Sequence, residues 1–208
     1  MSCTVVLVHG AFAESASWDG VIDPLVAEGH RVVAAANPLR GVASDAQTVS
    51  DLVRTIDGPV VLVAHSYGGF VATIVAATDP RVAGVVLVDA NLAGFFDDAQ
   101  LERLLATYRP QFPALEQEAP ELARVMIPII EAYPATVARL RQVDIPHATP
   151  TIDIVSERTW VDTPEEVDTA TACAEQCPDA ITCEASSIPL EGGSMPAIVC
   201  TRPTGGCP

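Results

Sequence analysis

A chain of 208 residues, 49% of them hydrophobic, is long enough for one domain that buries roughly 70% of its unfolded surface. Its formal net charge is −16 and all 11 basic residues are Arg, which argues against nucleic acid or an anionic membrane surface as partner. The acidity is uneven: residues 1–90 hold 9 acids and 4 Arg (−5), residues 91–208 hold 18 acids and 7 Arg (−11), so the first part reads as a compact core and the second as more exposed.

The chain starts MSCTVVLVHG, which enters a strand-like segment without a basic n-region or cleavage site, and no apolar run reaches the ~20 residues that span a bilayer. A cytoplasmic location is expected. Without export, the six cysteines (Cys3, Cys173, Cys177, Cys183, Cys200 and Cys207) read as reduced thiols. No C-x-x-C pair or clustered His accompanies them, so neither zinc nor any other metal or cofactor is expected.

Four β-branched runs follow in order: TVVLVHG (4–10), RVVAAAN (31–37), PVVLVAHS (59–66) and AGVVLVDA (83–90). Each is short and apolar throughout, as parallel strands buried on both faces should be. Between them lie the helix-length segments SWDGVIDPLVAEG, SDAQTVSDLVRTIDG and GGFVATIVAATDP, with Ser44 expected to cap the second. Strand–helix alternation with right-handed crossovers predicts an α/β fold, a doubly wound, mostly parallel sheet.

Beyond residue 90 the pattern changes. DDAQLERLLATY, PELARVMIPIIEAY and PATVARLRQV have helical spacing and are separated by prolines, with Pro128 expected to kink the middle one. Residues 91–148 are therefore expected to form a helical cap inserted into a core of 1–90 and 149–208. PTIDIVSE (150–157) reads as a strand, TPEEVDTATACAEQ as a helix and AITCEASSIPL (180–190) as the last strand. The Gly- and Pro-rich tail is too broken for a full helix, and its cysteines make it a candidate homo-oligomer interface.

The chemistry concentrates in VVLVAHSYGGF, residues 60–70. A strand, then A-H-S-Y-G-G, then an apolar helix is the setting of a nucleophile on a tight turn, with small Ala64 and Gly68 two residues either side of Ser66. The N–H after such a serine sits at a helix N-terminus and can stabilise an oxyanion; a second donor would come from the loop HGAFAESASW. The expected pair is the backbone N–H of Ala11 and of Tyr67. Phe12, Trp18 and the Tyr67 side chain could line a substrate pocket, although Trp18 at helical spacing also reads as core.

With LVHGAFAESASWDGVI, ANPLRG and GPVVLVAHSYGG in place, the sequence resembles the α/β-hydrolase superfamily, specifically small esterase-like members related to methylesterases and hydroxynitrile lyases. The resemblance is carried by residues 4–90. It implies an eight-stranded family sheet trimmed at its N-terminus, a helical cap and a Ser–acid–His triad in that chain order. The acid is implied in IDIVSERTWVDTP, where Glu157 and Asp162 flank the expected position near Thr159; Asp89, ending LVDA, is an alternative. Where the resemblance implies a histidine, the chain reads EGGSMPA, so either Ser194 stands in its place or a residue is missing before Met195, and no histidine follows His147.

The remaining histidines do not fill the gap. His30 and His147 precede strands and belong at the far end of the sheet. His65 is next to Ser66 in a strand and should point to the other face. His9, by the resemblance, packs behind the oxyanion loop. Loss of a triad histidine costs on the order of 10⁶ in turnover, leaving about 10³–10⁴ over water from the oxyanion hole and pocket. Three readings stay open: a hydrolase of a small hydrophobic ester, a non-hydrolytic lyase, cyclase or isomerase using the same pocket, and an inactive binding relative.

Overall fold

The computed structural model describes residues 3–156 together with the backbone of 182–190 and 193–201. Five parallel strands come first: β1 (Thr4–Val8), β2 (Arg31–Ala35), β3 (Val60–His65), β4 (Val82–Val88) and β5 (Thr151–Ser156). A hairpin of β6 (Thr182–Leu190) and β7 (Gly193–Thr201) completes a seven-stranded sheet in the order β2-β1-β3-β4-β5-β7-β6, with β7 antiparallel to β5. The doubly wound, mostly parallel sheet is therefore as expected from the buried apolar runs. The segment expected to be the last strand is β6, and the tail, expected only to be too broken for a full helix, supplies a further strand, β7, in which the β-branched Ile198 and Val199 pair with β5 despite Pro196.

Strand alternation divides the core in two. Val6 and Val8 of β1 join Leu62, Ala64, Val85 and Leu87 against α2 (Val42–Arg54) and α3 (Gly68–Thr78). Val5 and Leu7 point the other way, onto Trp18 and the partly buried Ile22 and Leu25 of α1 (Asp19–Ala27). Helix α2 begins at Val42 rather than at a Ser44 cap. Gly41, at φ 113, ends the preceding loop and its carbonyl takes the Asp45 N–H at 3.0 Å. Ser44 thus lies inside the helix, where its hydroxyl has no first-turn N–H to cap.

Between β4 and β5 lie α4 (Asp98–Tyr108), α5 (Phe112–Glu118), α6 (Pro120–Glu131) and α7 (Tyr133–Leu140). Asp97 starts α4 with a reciprocal capping box to Gln100. Leu101, Met126, Ile129, Ile130, Val137 and Leu140 from these helices bury into the α2/α3 side of the core. Pro128 lies inside α6, which runs as one element through it. Among the described residues no helix is long and apolar enough to cross a membrane, and no group of three or more His, Cys, Asp or Glu side chains could hold a metal ion.

The strand order reverses direction at β1: β2 lies on one side of it and β3 on the other. In open parallel sheets, a crevice forms outside the C-terminal strand ends at such a switch point. Here it is bordered by the loop after β1 and the turn after β3.

Candidate active site

Ser66 occupies the turn between β3 and α3 with φ 52, a left-handed conformation rare for a residue with a side chain. The surrounding backbone imposes it. The Ser66 carbonyl accepts the N–H of Gly69 at 2.9 Å and the N–H of Asn91 at 2.8 Å, so it is held by both its own helix and the loop after β4. The pairing of His65 with Val88 brings Ser66 level with Asp89, whose φ is 42 and whose N–H donates to Ile154 O at 2.8 Å.

Glycines make this closeness feasible. A Cβ on Gly68 would lie 2.5 Å from Val8 O and 2.9 Å from His9 O. One on Gly69 would lie 2.6 Å from Ala90 Cβ and 2.9 Å from Asn91 O, and one on Gly10 would lie 3.0 Å from Ser66 Cβ. The start of α3 is therefore pressed against the end of β1, bringing the loop that carries Ala11 beside the serine. Ala11 is buried, and Tyr67, at the N-terminal boundary of α3, carries a backbone N–H of the kind that helices leave without an internal acceptor.

The sequence places the Tyr67 side chain among pocket candidates, but its phenol is turned into the core. Its hydroxyl donates to Asp45 Oδ2 at 2.7 Å, and both residues are fully buried. Asp45 Oδ1 accepts the backbone N–H of Arg40 at 2.9 Å. Burial first, then the hydrogen bond and charge of Asp45, push the Tyr67 phenol far above its ordinary range, so it stays protonated.

The described histidines separate cleanly. Asn37 N–H donates to His9 Nε2 at 3.1 Å, which leaves Nδ1 as the protonated nitrogen facing Gly10 O at 2.8 Å. With both ring nitrogens engaged and the side chain buried, His9 braces the loop after β1. His30 and His147 are exposed and precede β2 and β5, at the opposite edge from Ser66. His65 is exposed at the end of β3, and its Nδ1 lies 3.4 Å from the position a Cβ would take on Gly10. Among the described residues, no imidazole hydrogen-bonds to the Ser66 hydroxyl.

Of the remaining candidates, Phe12 stands 69% exposed on the loop after β1. Trp18 is buried against Val5 and Leu7, the packing role that its helical spacing also allowed. Glu157 and Asp162, with Thr159, lie outside the described residues. Ser194 lies in β7 opposite Pro189. Sequence reasoning missed Asp45 and Asn91. Asp45 had a signal: with Val42, Ala46, Val49 and Val53 it falls on the buried stripe of α2, where a carboxylate needs partners. Asn91 had none; its side chain donates to Tyr133 Oη at 2.7 Å, a bond that exists only once α7 is docked.

No curated protein matches the chain. Among solved structures, a pyrethroid hydrolase from Sphingobium faniae JZ-2 is 24% identical over 46% of this chain and 45% of its own, with a TM-score of 0.42. The chain thus spans less than half the length of that enzyme. An extracellular α/β-hydrolase from a Paenibacillus species, described as homologous to tobacco salicylic acid binding protein 2, is 25% identical over 55% of this chain and 57% of its own, at a TM-score of 0.43. The monoacylglycerol lipase of Paleococcus ferrophilus shares the fold at 18% identity, covering 84% of this chain and 82% of its own with a TM-score of 0.55. The profile described as the alpha/beta hydrolase family matches residues 5–196, from β1 into the first half of β7. The chain belongs to the alpha/beta hydrolase family.

Proposed function

We propose that the chain is a serine hydrolase acting on a small hydrophobic carboxylic ester. Ser66 Oγ attacks the carbonyl carbon, the N–H groups of Ala11 and Tyr67 hold the oxyanion, the alcohol departs and water then cleaves the acyl-serine. The observation that carries this reading is the strained Ser66 at φ 52, level with the loop after β1 and wedged there by Gly68. Strain of this kind costs about 1–3 kcal/mol and persists where surrounding structure over-determines it, most often at a reacting residue. The exposed Phe12, on the same loop as Ala11, favours an uncharged acyl group over an acidic one.

Among the described residues no imidazole hydrogen-bonds to the Ser66 hydroxyl, so in this reading solvent hydroxide takes the proton and acylation is slow. The expected rate keeps the oxyanion-hole share, roughly 10³–10⁴ over water. Hydrolysis of 4-nitrophenyl acetate at saturating substrate should rise about tenfold per pH unit between about pH 6 and 9 and vanish in Ser66→Ala. A plateau above about pH 7 would reveal a titrating imidazole, and its loss in His65→Gln would assign it. Turnover that survives Ser66→Ala, or a fluorophosphonate probe that leaves the folded wild type unlabelled, would sink the serine-hydrolase reading.

A further inference from the structure

The elbow carries a second polar contact that the hydrolytic reading does not use. Tyr67 follows the nucleophile directly, yet its hydroxyl reaches across to Asp45 on α2, 22 positions earlier, at 2.7 Å. Asp45 also takes the Arg40 N–H at 2.9 Å, and it is completely buried. One carboxylate therefore joins the loop after β2, the first turn of α2 and the residue after Ser66. That loop is held at its other end as well, by the Asn37 N–H on His9 Nε2 at 3.1 Å, and His9 leads into the loop carrying Ala11.

We infer that Tyr67 and Asp45 form a positioning pair, resting on the reading of Ser66 as nucleophile: their buried bond sets the orientation of the Ser66–Tyr67 peptide, and with it both the serine and the Tyr67 N–H. The carbonyl of this peptide is tied by the N–H groups of Gly69 and Asn91, and the Tyr67–Asp45 bond ties its other side through the Tyr67 side chain. A left-handed φ at Ser66 is unfavourable by itself, and the Tyr67 ring is the first side chain after it. The ring packs edge-on to Phe70 at 6.2 Å between centroids, which fixes its plane, whereas the hydroxyl fixes its reach. Because the phenol is buried and remains protonated, the bond persists across the working pH range and acts as a fixed brace.

A stabilising bond with no bearing on the site would change the unfolding midpoint and leave kcat untouched well below it; a positioning bond changes kcat at constant KM. Tyr67→Phe keeps the ring and its packing while removing only the hydroxyl. It should lower kcat for 4-nitrophenyl acetate about 10- to 100-fold with KM unchanged, the penalty of a nucleophile displaced by a fraction of an ångström to an ångström. Asp45→Asn keeps an oxygen for the Arg40 N–H and an amide able to donate to the phenol, so it should recover most of kcat. Asp45→Leu should match Tyr67→Phe, and the double variant should be no worse than either alone. Unchanged kcat in a folded Tyr67→Phe, or losses that multiply in the double variant, would overturn the pair. Amide hydrogen exchange at residues 66–69 gives a readout that needs no turnover. It should quicken in Tyr67→Phe relative to the rest of α3, and unaltered exchange there would count against the brace even if wild-type esterase activity proved absent. Wild-type inactivity with quickened exchange would instead overturn the nucleophile reading and leave the brace standing.

Discussion

At the N-terminal end of the sheet, Gly29 and Gly58 turn with φ of 88 and 92, and a Cβ on either would meet nothing within 4 Å. At the C-terminal end, Gly68 and Gly69 have ordinary φ, but a Cβ would meet backbone or a neighbouring Cβ at 2.5 and 2.6 Å. The first pair is there for its dihedral freedom, the second for its lack of volume. At the same C-terminal end, Ser66 and Asp89 carry side chains in the conformation that glycine adopts at the other end. The far end thus gives strain-prone positions to the residue that bears them freely. Around Ser66 the near end packs glycine where space is short and leaves the strain on Ser66 and Asp89, while the loop after β2 on the same side has both a strained Leu39 and a freely turning Gly41. Strain that could have been relieved by a glycine, yet was not, points to the side chain as the thing being kept.

The largest effect should come from breaking the close approach. Gly68→Ala drives a methyl into Val8 O and His9 O, both main-chain atoms of β1 and the loop after it, neither able to swing aside. The expected loss is about 3 kcal/mol or more, seen as a fall in the urea midpoint at unchanged slope, together with loss of Ser66 labelling. Gly58→Ala is its counterpart at the other end. The methyl has room, and only the positive φ is penalised, so about 1 kcal/mol should be lost with labelling intact. Equal losses for the two would erase the distinction between volume and dihedral.

The same contrast explains how much of the molecule its sequence discloses. Residues 4–90 are legible because each parallel strand is an apolar run bounded by turn residues, a pattern set by burial on both faces. The turn between β3 and α3 is legible because its steric demands fall on neighbours in sequence, Ala64 and Gly68 around Ser66. The helices between β4 and β5 are legible only where they are long: α5, seven residues beginning FP, is too short to show a period. The start of α2 was misplaced because Ser44 looks like a cap, while a loop glycine and the reach of Asp45 back to Arg40 set the true boundary. The Tyr67–Asp45 bond was hidden because it depends on α2 docking against α3, a tertiary event. A tyrosine directly after Ser66 reads as a pocket residue until the helix beside it is known.

The smallest expected effect is the most direct probe of why Ser66 is not glycine. Ser66→Ala removes the hydroxyl and keeps a Cβ in the left-handed region, so its stability should stay near that of the wild type. Ser66→Gly removes both the hydroxyl and the penalty on φ 52, which is worth about 1–2 kcal/mol. Against this stands the extra freedom of glycine in the unfolded chain, about 0.5–1 kcal/mol. The balance should leave Ser66→Gly more stable than Ser66→Ala by about 0.5–1 kcal/mol in urea unfolding, with both variants inert to a fluorophosphonate. If glycine gave no gain, the neighbours would be relaxing around Ser66 rather than holding it, and the φ of 52 would be a property of the turn sequence. A gain would mean that the chain keeps a hydroxyl at its sheet edge against its own stability, and the two hydrogen bonds on the Ser66 carbonyl, from Gly69 and Asn91, are what hold it there.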